Sequence, residues 1–365
     1  MKTSLYTGTG GVDVVGRRKL WYGIAIVCIL ISFLAMAFRG FEWSIDFEGG
    51  TRMSMPAGEL QVEQVEDTFI DATGVTPELT QIVGAGDSRT LEINSERLSD
   101  DQISAAREAI FDAYQPKDAS GTPTPDAIGD STVSESWGST ITDRMLLAVG
   151  VFLVLVFIYI ALRLQRTMAI AGMLALLVDA IVISGFYALC GFEVSPATVI
   201  GLLTVLSFSI YDTVIVFDKV NENTVGLFDS HRRTFAEQAN LAVNQTLMRS
   251  ISTSVISALP ILALMIVAVW LLGVGTLKDL ALIQLIGVIE GVFSSIFLAT
   301  PLLVGMEGRR KKIRQHTAAV ERVRQGLSPE EDAEAEGDEA SSRGSRRVES
   351  PQRINPGASW RPNRS

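Results

Sequence analysis

The sequence predicts an α-helical polytopic membrane protein with six transmembrane helices and a small α+β extracytoplasmic domain between helices 1 and 2. Hydrophobic residues make up 47% of the chain and charged residues only 20%, which leaves too little charged surface for a soluble protein. Six apolar runs are each 18 to 25 residues long, and about 20 apolar residues span a bilayer as a helix. These observations exclude a purely soluble enzyme, a secreted disulfide scaffold and a disordered chain.

The six apolar runs fix the predicted order of segments. The spans are expected at residues 20–38, 145–162, 168–190, 197–217, 251–272 and 280–304. The first run could pass for a signal peptide, but it is long and no small-x-small cleavage site follows it. We therefore interpret it as a membrane anchor whose preceding segment, 1–19, is cytoplasmic.

Basic residues test this orientation. The segments then predicted to be cytoplasmic hold 23 Lys and Arg in 118 residues, against 8 in the 119 residues of the opposite side. Nearly equal lengths thus carry a threefold bias, which supports a cytoplasmic location for both termini.

Segment 39–144 is predicted to be the extracytoplasmic domain. It holds 21 Asp and Glu against 7 Lys and Arg, so the acidity of the chain is concentrated there and gives no reason to expect a nucleic-acid partner. Its patterns predict strands and helices in the order β-α-β-β-α-β, a ferredoxin-like split βαβ arrangement. The expected elements are strands at 51–55, 79–83, 90–93 and 131–137, and helices at 59–71 and 100–114. A contact surface outside the membrane is the favoured use, and a spacer is the alternative.

Two further segments are predicted to be cytoplasmic. The loop 218–250 is expected to contain an amphipathic helix at 234–248. The tail 305–365 is basic, then acidic, then rich in Arg, Ser and Pro, and is expected to be disordered because such a composition cannot bury a core. A docking segment is the alternative for the tail.

Three carboxylic residues fall inside the predicted spans, namely Asp179, Asp212 and Glu290. A charge in the bilayer is costly, so an intramembrane carboxylate indicates a functional site by default. Arg249 lies just before the fifth span, at a depth similar to that of Asp212, so the two are expected to be able to pair. For each acid the alternative is a structural role, such as a static ion pair.

The sequence shows no enzymatic constellation. It contains no nucleotide-binding loop, no nucleophile–His–Asp set and no cluster of metal ligands, and its only histidines are His231 and His316. We therefore expect neither an enzyme nor a bound cofactor, and any proton relay inside the membrane has to use carboxylates.

Four motifs, in order along residues 15–305, resemble those of the SecD/SecF family, within the resistance-nodulation-division superfamily. The first follows the first span and contains Asp46, Phe47, Gly49, Gly50 and Thr51. The second, 211–223, includes Asp218 and Glu222 and resembles the fourth-span motif of the SecF branch. The other two, 244–254 and 294–301, resemble its fifth and sixth spans.

The resemblance implies an accessory subunit of a bacterial protein translocase in the cell membrane. Such a subunit pairs with SecD and acts with the SecYEG channel, opposite the cytoplasmic SecA, on unfolded exported proteins. The proton is the coupling ion, and membrane lipid is the surrounding partner.

The resemblance also implies roles for single residues. The fourth-span Asp and the fifth-span Arg of the family belong to its proton pathway, and they correspond to Asp212 and Arg249. Asp179 matches an acidic third-span position, although Val178 stands before it where the family often has His. Glu290 occupies a position that is usually small or apolar, so it is either an added proton site or a harmless variant.

Two other functions stay open at this stage. One is half of a proton-driven exporter of small molecules or lipids, which shares the span layout but requires a partner half. The other is a scaffold without transport activity, in which Asp212 could be replaced by Asn without loss.

Overall fold

The computed structural model describes residues 11–118 and 120–328. The helices, in chain order, are α1 (Arg18–Phe38), α2 (Ile45–Glu48), α3 (Val62–Thr73), α4 (Asp100–Tyr114), α5 (Glu135–Arg163), α6 (Arg166–Cys190), α7 (Pro196–Asn223), α8 (Phe235–Ile266), α9 (Gly275–Ser294), α10 (Thr300–Glu307) and α11 (Lys311–Arg324). The strands are β1 (Glu42–Trp43), β2 (Gly50–Pro56), β3 (Leu79–Val83), β4 (Thr90–Ser95), β5 (Gly129–Val133) and β6 (Glu193–Val194). Two π-helical turns, Val267–Leu272 and Ser295–Ala299, follow α8 and α9.

Within the described residues, six helical segments are long and apolar enough to cross a membrane, as predicted. They are longer than the apolar runs, because helices continue beyond the hydrocarbon where their backbone is still satisfied. α5 begins at Glu135, where the Ser134 side chain accepts a hydrogen bond from the Trp137 backbone N–H. This cap ends β5 at Val133, so the last strand is shorter than predicted. The predicted amphipathic helix at 234–248 is continuous with the fifth span and forms the first half of α8.

The three central spans are distinguished by burial. In their most apolar 18-residue stretches, 44% of α6, 50% of α7 and 44% of the segment from α9 to α10 is buried. The corresponding shares are 11% for α1, 6% for α5 and 6% for α8. The helices α6, α7 and α9 therefore form the core of the bundle, and the other three expose apolar surface outward.

The α+β segment forms one antiparallel sheet with strand order β3-β4-β2-β5. The elements follow the predicted order β-α-β-β-α-β along the chain. Alternate residues of β2 and β4 point into a core that α3 and α4 cover, which includes Met53, Phe69, Leu91, Ile93 and Ile110. Every buried residue of this core lies between positions 53 and 128.

The two ends of the described chain lie on one face of the bundle. The backbone of Val12 bonds to Asn240 and Asn244 near the start of α8, and Arg324 at the end of α11 bonds to Glu237 at the same end. We call this the terminal face. The α+β domain lies on the opposite side, which we call the domain face, and this separation agrees with the predicted topology.

The start of the tail differs from the prediction of disorder. Residues Lys311–Arg324 form α11, which buries Ile313, His316 and Val320. Their spacing of three and four residues places all three side chains on one side of a helix. Residues 329–365, including the acidic stretch, lie outside the described residues.

The closed core of the α+β domain generates a prediction. Residues 42–140, expressed without the spans, should unfold cooperatively in denaturant. Phe69→Ala should lower the free energy of unfolding by about 3–5 kcal/mol, because it empties a fully buried site. Asp112→Ala, at an exposed position of α4, is the control and should change it by less than about 0.5 kcal/mol. Non-cooperative unfolding would contradict an independent domain.

Candidate functional site: buried carboxyl groups between the central helices

Small residues bring α7 and α9 into close contact. A Cβ added to Gly287 of α9 would lie 2.2 Å from a methyl carbon of Val205, and one added to Gly291 would lie 3.0 Å from Cβ of Ser209. The two glycines are four residues apart, so they lie on the same face of α9. This spacing of small residues allows helices to approach closely in membranes. The side chains beside this contact, Ser209 among them, are consequently excluded from lipid.

Asp212 of α7 lies in this protected region and is 3% exposed. The Ser250 hydroxyl of α8 donates to its Oδ1 at 2.7 Å, and the Ser295 hydroxyl donates to its Oδ2 at 2.5 Å. Both carboxylate oxygens thus accept a hydrogen bond, each from a different helical segment. We call Asp212, Ser250 and Ser295 the Asp212 site.

The expected ion pair between Asp212 and Arg249 is absent from the part of the chain that the structure describes. Arg249 is exposed, and its neighbour Ser250 faces Asp212 instead. The physical reason is helix geometry, because successive side chains point about 100° apart around the axis. Sequence position predicted the correct depth of Arg249 but not its direction.

A second group of acids adjoins the first. Asp179 of α6 is fully buried and accepts a hydrogen bond from the Ser209 hydroxyl through Oδ2. Glu290 of α9 lies close enough to interact electrostatically with Asp179. Asp179 Oδ1 and Glu290 Oε2 are buried and find no hydrogen-bond partner within the described residues. We call Asp179, Glu290 and Ser209 the Asp179 site.

The two sites share helix α7 and meet again at the end of α9. Ser209 and Asp212 are three residues apart on α7, so they lie on the same face. On α9 the buried Ser294 lies beside Asp179, and the next residue, Ser295, binds Asp212. Ser295 begins a π-helical turn, a feature that often occurs at functional sites. Serine hydroxyl groups therefore lie beside both Asp179 and Asp212.

The motif after the first span has a structural part in this protein. Gly49 has a φ of +84° and Gly50 a φ of +138°, conformations that glycine adopts most readily. A Cβ on Gly49 would lie 2.9 Å from the Glu135 backbone nitrogen. The glycines therefore permit the chain from α1 to pass close to the start of α5 as it enters the sheet.

The remaining motif residues stabilise local structure. Asp46 accepts a hydrogen bond from the Ser44 hydroxyl at 2.8 Å, and Thr51 accepts one from the Leu98 backbone at 3.0 Å. The ring of Phe47 packs edge-on against Trp43.

The two acids of the fourth-span motif lie at the surface of the terminal face, away from the two buried sites. Asp218 pairs with Arg163, and Glu222 pairs with Lys219. Exposed pairs of this kind contribute little stability.

These features define a polytopic membrane protein with acids buried between its central helices. Residues 117–309 match the family model "Protein export membrane protein SecD/SecF, C-terminal", and residues 34–58 match "SecD/SecF GG Motif". The chain belongs to the SecD/SecF family.

Named relatives agree with this assignment. Over 337 residues the chain is 56% identical to the protein translocase subunit SecF of Mycobacterium tuberculosis, a match that covers 92% of this chain and 76% of that protein. It is 37% identical to the SecF subunit of Streptomyces coelicolor, covering 92% and 87%. The crystal structure of Thermus thermophilus SecDF, a translocon-associated membrane protein, superposes with a TM-score of 0.70 at 28% identity. That match covers 83% of this chain, which spans about two fifths of SecDF, 39% by length.

The contribution of the Ser295–Asp212 hydrogen bond to stability can be measured by a double-mutant cycle. Ser295→Ala should lower the free energy of unfolding in bicelles by about 1–2 kcal/mol, because a buried acceptor loses its donor. In an Asp212→Leu background the same change should cost much less, since the acceptor is already gone. Ser207→Ala, at an exposed position of α7, is the control. Equal costs in both backgrounds would show that Ser295 does not act through Asp212.

Proposed function

We propose that the protein is an accessory subunit of the Sec protein translocase that uses the proton motive force, together with SecD, to promote protein export. The observation that carries this proposal is the Asp212 site, an acid buried between three helical segments and matched to the proton-pathway position of the family. The names of the relatives favour this function over half of a small-molecule or lipid exporter. They also favour an accessory role over that of a conventional enzyme.

The proposed assembly follows the family. SecD supplies the second group of six spans, and the pair acts with the SecYEG channel, with SecA on the cytoplasmic side and unfolded exported protein as the cargo. The terminal face is then cytoplasmic and the membrane is the bacterial cell membrane. The outward apolar surfaces of α1, α5 and α8 are available to SecD and to lipid.

The proton is proposed to be carried by carboxyl groups, with no other cofactor. Asp212 takes up and releases the proton during the working cycle. The Asp179 site supplies a second position, because the buried Asp179 and the half-buried Glu290 repel each other when both are charged, so the pair is most stable when it retains at least one proton. The Ser209 hydroxyl bonds to Asp179 and the Ser295 hydroxyl bonds to Asp212, so each acid has a serine partner that can donate a hydrogen bond or accept one.

Arg249 is proposed to enter the cycle by a rotation of α8. A turn of about 100° would replace Ser250 by Arg249 opposite Asp212. A cation at that position favours the charged carboxylate, whereas the hydroxyl contacts of the present state are compatible with a neutral acid as well. Alternation between these two partners would couple proton release to a helix movement.

Asp212→Asn tests the proposed carrier, because it preserves size and removes titration. The variant should insert normally and remain associated with its partner, yet lose the part of export that depends on the proton gradient. The measurement is gradient-dependent export in membrane vesicles, normalised to the amount of assembled complex. Asp143→Asn, at an exposed position near the start of α5, is the matched control and should export like the wild type. Wild-type rates from Asp212→Asn would exclude a proton-carrying role.

Substitutions at Arg249 test the proposed rotation. Arg249→Ala should impair the same gradient-dependent step, and Arg249→Lys should impair it less because the charge is kept. Neither should lower protein abundance, since Arg249 is exposed in the present state. A loss of abundance in parallel with activity would indicate a structural role instead.

A further inference from the structure

A buried polar cluster lies where the α+β domain meets the ends of the central helices. Its charged members are Arg52 of β2, Glu92 of β4, Glu193 of β6, and Lys278 and Asp279 of α9. The three acids are each at most 7% exposed. We call these five residues the docking cluster. They come from three separate parts of the sequence, so they meet only when the domain rests on the bundle.

The contacts of the cluster run from the sheet to the loop between α6 and α7. Arg52 Nη2 lies 2.5 Å from Glu193 Oε1, and Arg52 Nε donates to Asn94 Oδ1 at 2.8 Å. The Gln81 amide donates to Glu193 Oε2 at 3.2 Å and to Glu92 Oε2 at 3.4 Å. Buried charges are stable only when they are paired and hydrogen-bonded in this way. Separation of the domain from the bundle would break the Arg52–Glu193 pair.

The same cluster touches the first turns of α9. Both carboxylate oxygens of Glu92 lie 3.2 Å from the position that a Cβ of Gly275 would take, and Lys278 interacts electrostatically with Glu92. Lys278 Nζ lies 3.7 Å from Asp279 Oδ1. The Tyr187 hydroxyl of α6 donates to the Asp279 carbonyl at 3.2 Å. The start of α9 is thus held between the domain and the core of the bundle.

A second contact holds the turn between β3 and β4 against the π-helical turn before α9. The Ala85 N–H donates to the Val269 carbonyl at 2.9 Å, and the Ser88 hydroxyl donates to the Trp270 carbonyl at 2.8 Å. Gly273 allows this approach, because a Cβ there would lie 2.1 Å from the Ser88 carbonyl oxygen. The domain therefore contacts the chain on both sides of Gly273, at the π-helical turn before it and at the first turn of α9 after it.

The far end of α9 reaches the buried acids. Gly275 and Ser295 are 20 residues apart, or about 30 Å along a helix, and no proline interrupts α9 between them. A continuous helix transmits displacement of one end to the other. A shift at Gly275 would therefore change the position of the Ser295 hydroxyl relative to Asp212.

We propose that the docking cluster positions α9, and through it Ser295 against Asp212, so that seating of the α+β domain on the bundle sets the state of the Asp212 site. The functional consequence rests on the proposed role of Asp212 in proton transfer. The structural coupling does not, since it concerns only the contacts at the two ends of one helix.

The charge of Glu92 gives the contact a direction of pH dependence. Burial raises the pKa of the Glu92 carboxyl above its ordinary value; Arg52 opposes this, the Glu193 carboxylate adds to it, and Lys278 and Gln81 oppose it. Undocking exposes Glu92 and returns its pKa towards the ordinary value, so docking is linked to proton uptake. Docking should therefore be strongest below the ordinary pKa and should weaken as the pH rises through the raised one. Asp279 also faces the cluster from α9.

The pH dependence can be tested on the full chain in lipid nanodiscs. Hydrogen exchange of the 84–88 turn and of the first turn of α9 should slow as the pH falls, after correction for intrinsic exchange rates. Glu92→Gln should weaken this dependence and stay more protected than the wild type at high pH, because the amide resembles the protonated acid. Glu92→Asp should restore a dependence. A Glu92→Gln variant with the wild-type pH profile would overturn the role of Glu92.

The coupling along α9 needs a reading at Asp212. The rate at which a hydrophobic carbodiimide modifies Asp212, followed by mass spectrometry at fixed pH, reports its protonation and access. Arg52→Met should raise that rate about fivefold or more, a typical coupling between distant sites. Arg107→Met is the matched control, because it breaks the Arg107–Asp130 pair of the same domain without touching α9. Faster exchange at the cluster with an unchanged rate at Asp212 would overturn the coupling.

The carbodiimide and exchange measurements need no export activity, whereas Asp212→Asn is judged by export alone. Suppose that Arg52→Met changes the carbodiimide rate at Asp212 while Asp212→Asn exports normally. The positioning role of the docking cluster would then be upheld, and the proton-carrying role of Asp212 would be rejected.

Discussion

The cost of placing carboxyl groups in a bilayer is the constraint on which this structure depends. A lipid-exposed acid is unstable, so Asp179 and Asp212 have to lie between helices. The close contact at Gly287 and Gly291 provides this protected position, because side chains beside it are excluded from lipid. This explains why the acids lie on α6, α7 and α9, the central helices, while α1, α5 and α8 expose apolar surface.

The two buried sites differ in how the oxygens of their acids are hydrogen-bonded. Both oxygens of Asp212 accept hydrogen bonds from serine hydroxyls. In the Asp179 site, one oxygen of Asp179 and one of Glu290 lack such partners within the described residues. A hydroxyl group can donate to a charged acid or accept from a neutral one. Serine therefore tolerates both protonation states, which a fixed cation such as Arg249 would not.

The sequence predicts the spans and the acids well, because both depend on local composition. It predicts the side-chain contacts of these acids poorly, because such contacts depend on helix rotation and on residues far apart in the sequence. Arg249 and Ser250 are neighbours, and only the rotation of α8 decides which one faces Asp212. The helix α11 was missed because its three buried residues lie in a strongly charged stretch. Glu92 and Glu193 lie on separate elements far apart in the sequence, so no local pattern could join them.

The α+β domain is joined covalently to two peripheral helices, whereas it reaches the central helices only through noncovalent contacts. The chain enters the domain from α1 and leaves it into α5, two peripheral helices that carry none of the buried acids. Its contacts with the start of α9 and with the π-helical turn before it are noncovalent: Glu92 lies beside Gly275, and Ser88 bonds to the Trp270 carbonyl. Peripheral spans can therefore tether the domain while it moves, and movement reaches Asp212 only through contacts that can form and break. Such an arrangement makes the coupling reversible, which a working cycle requires.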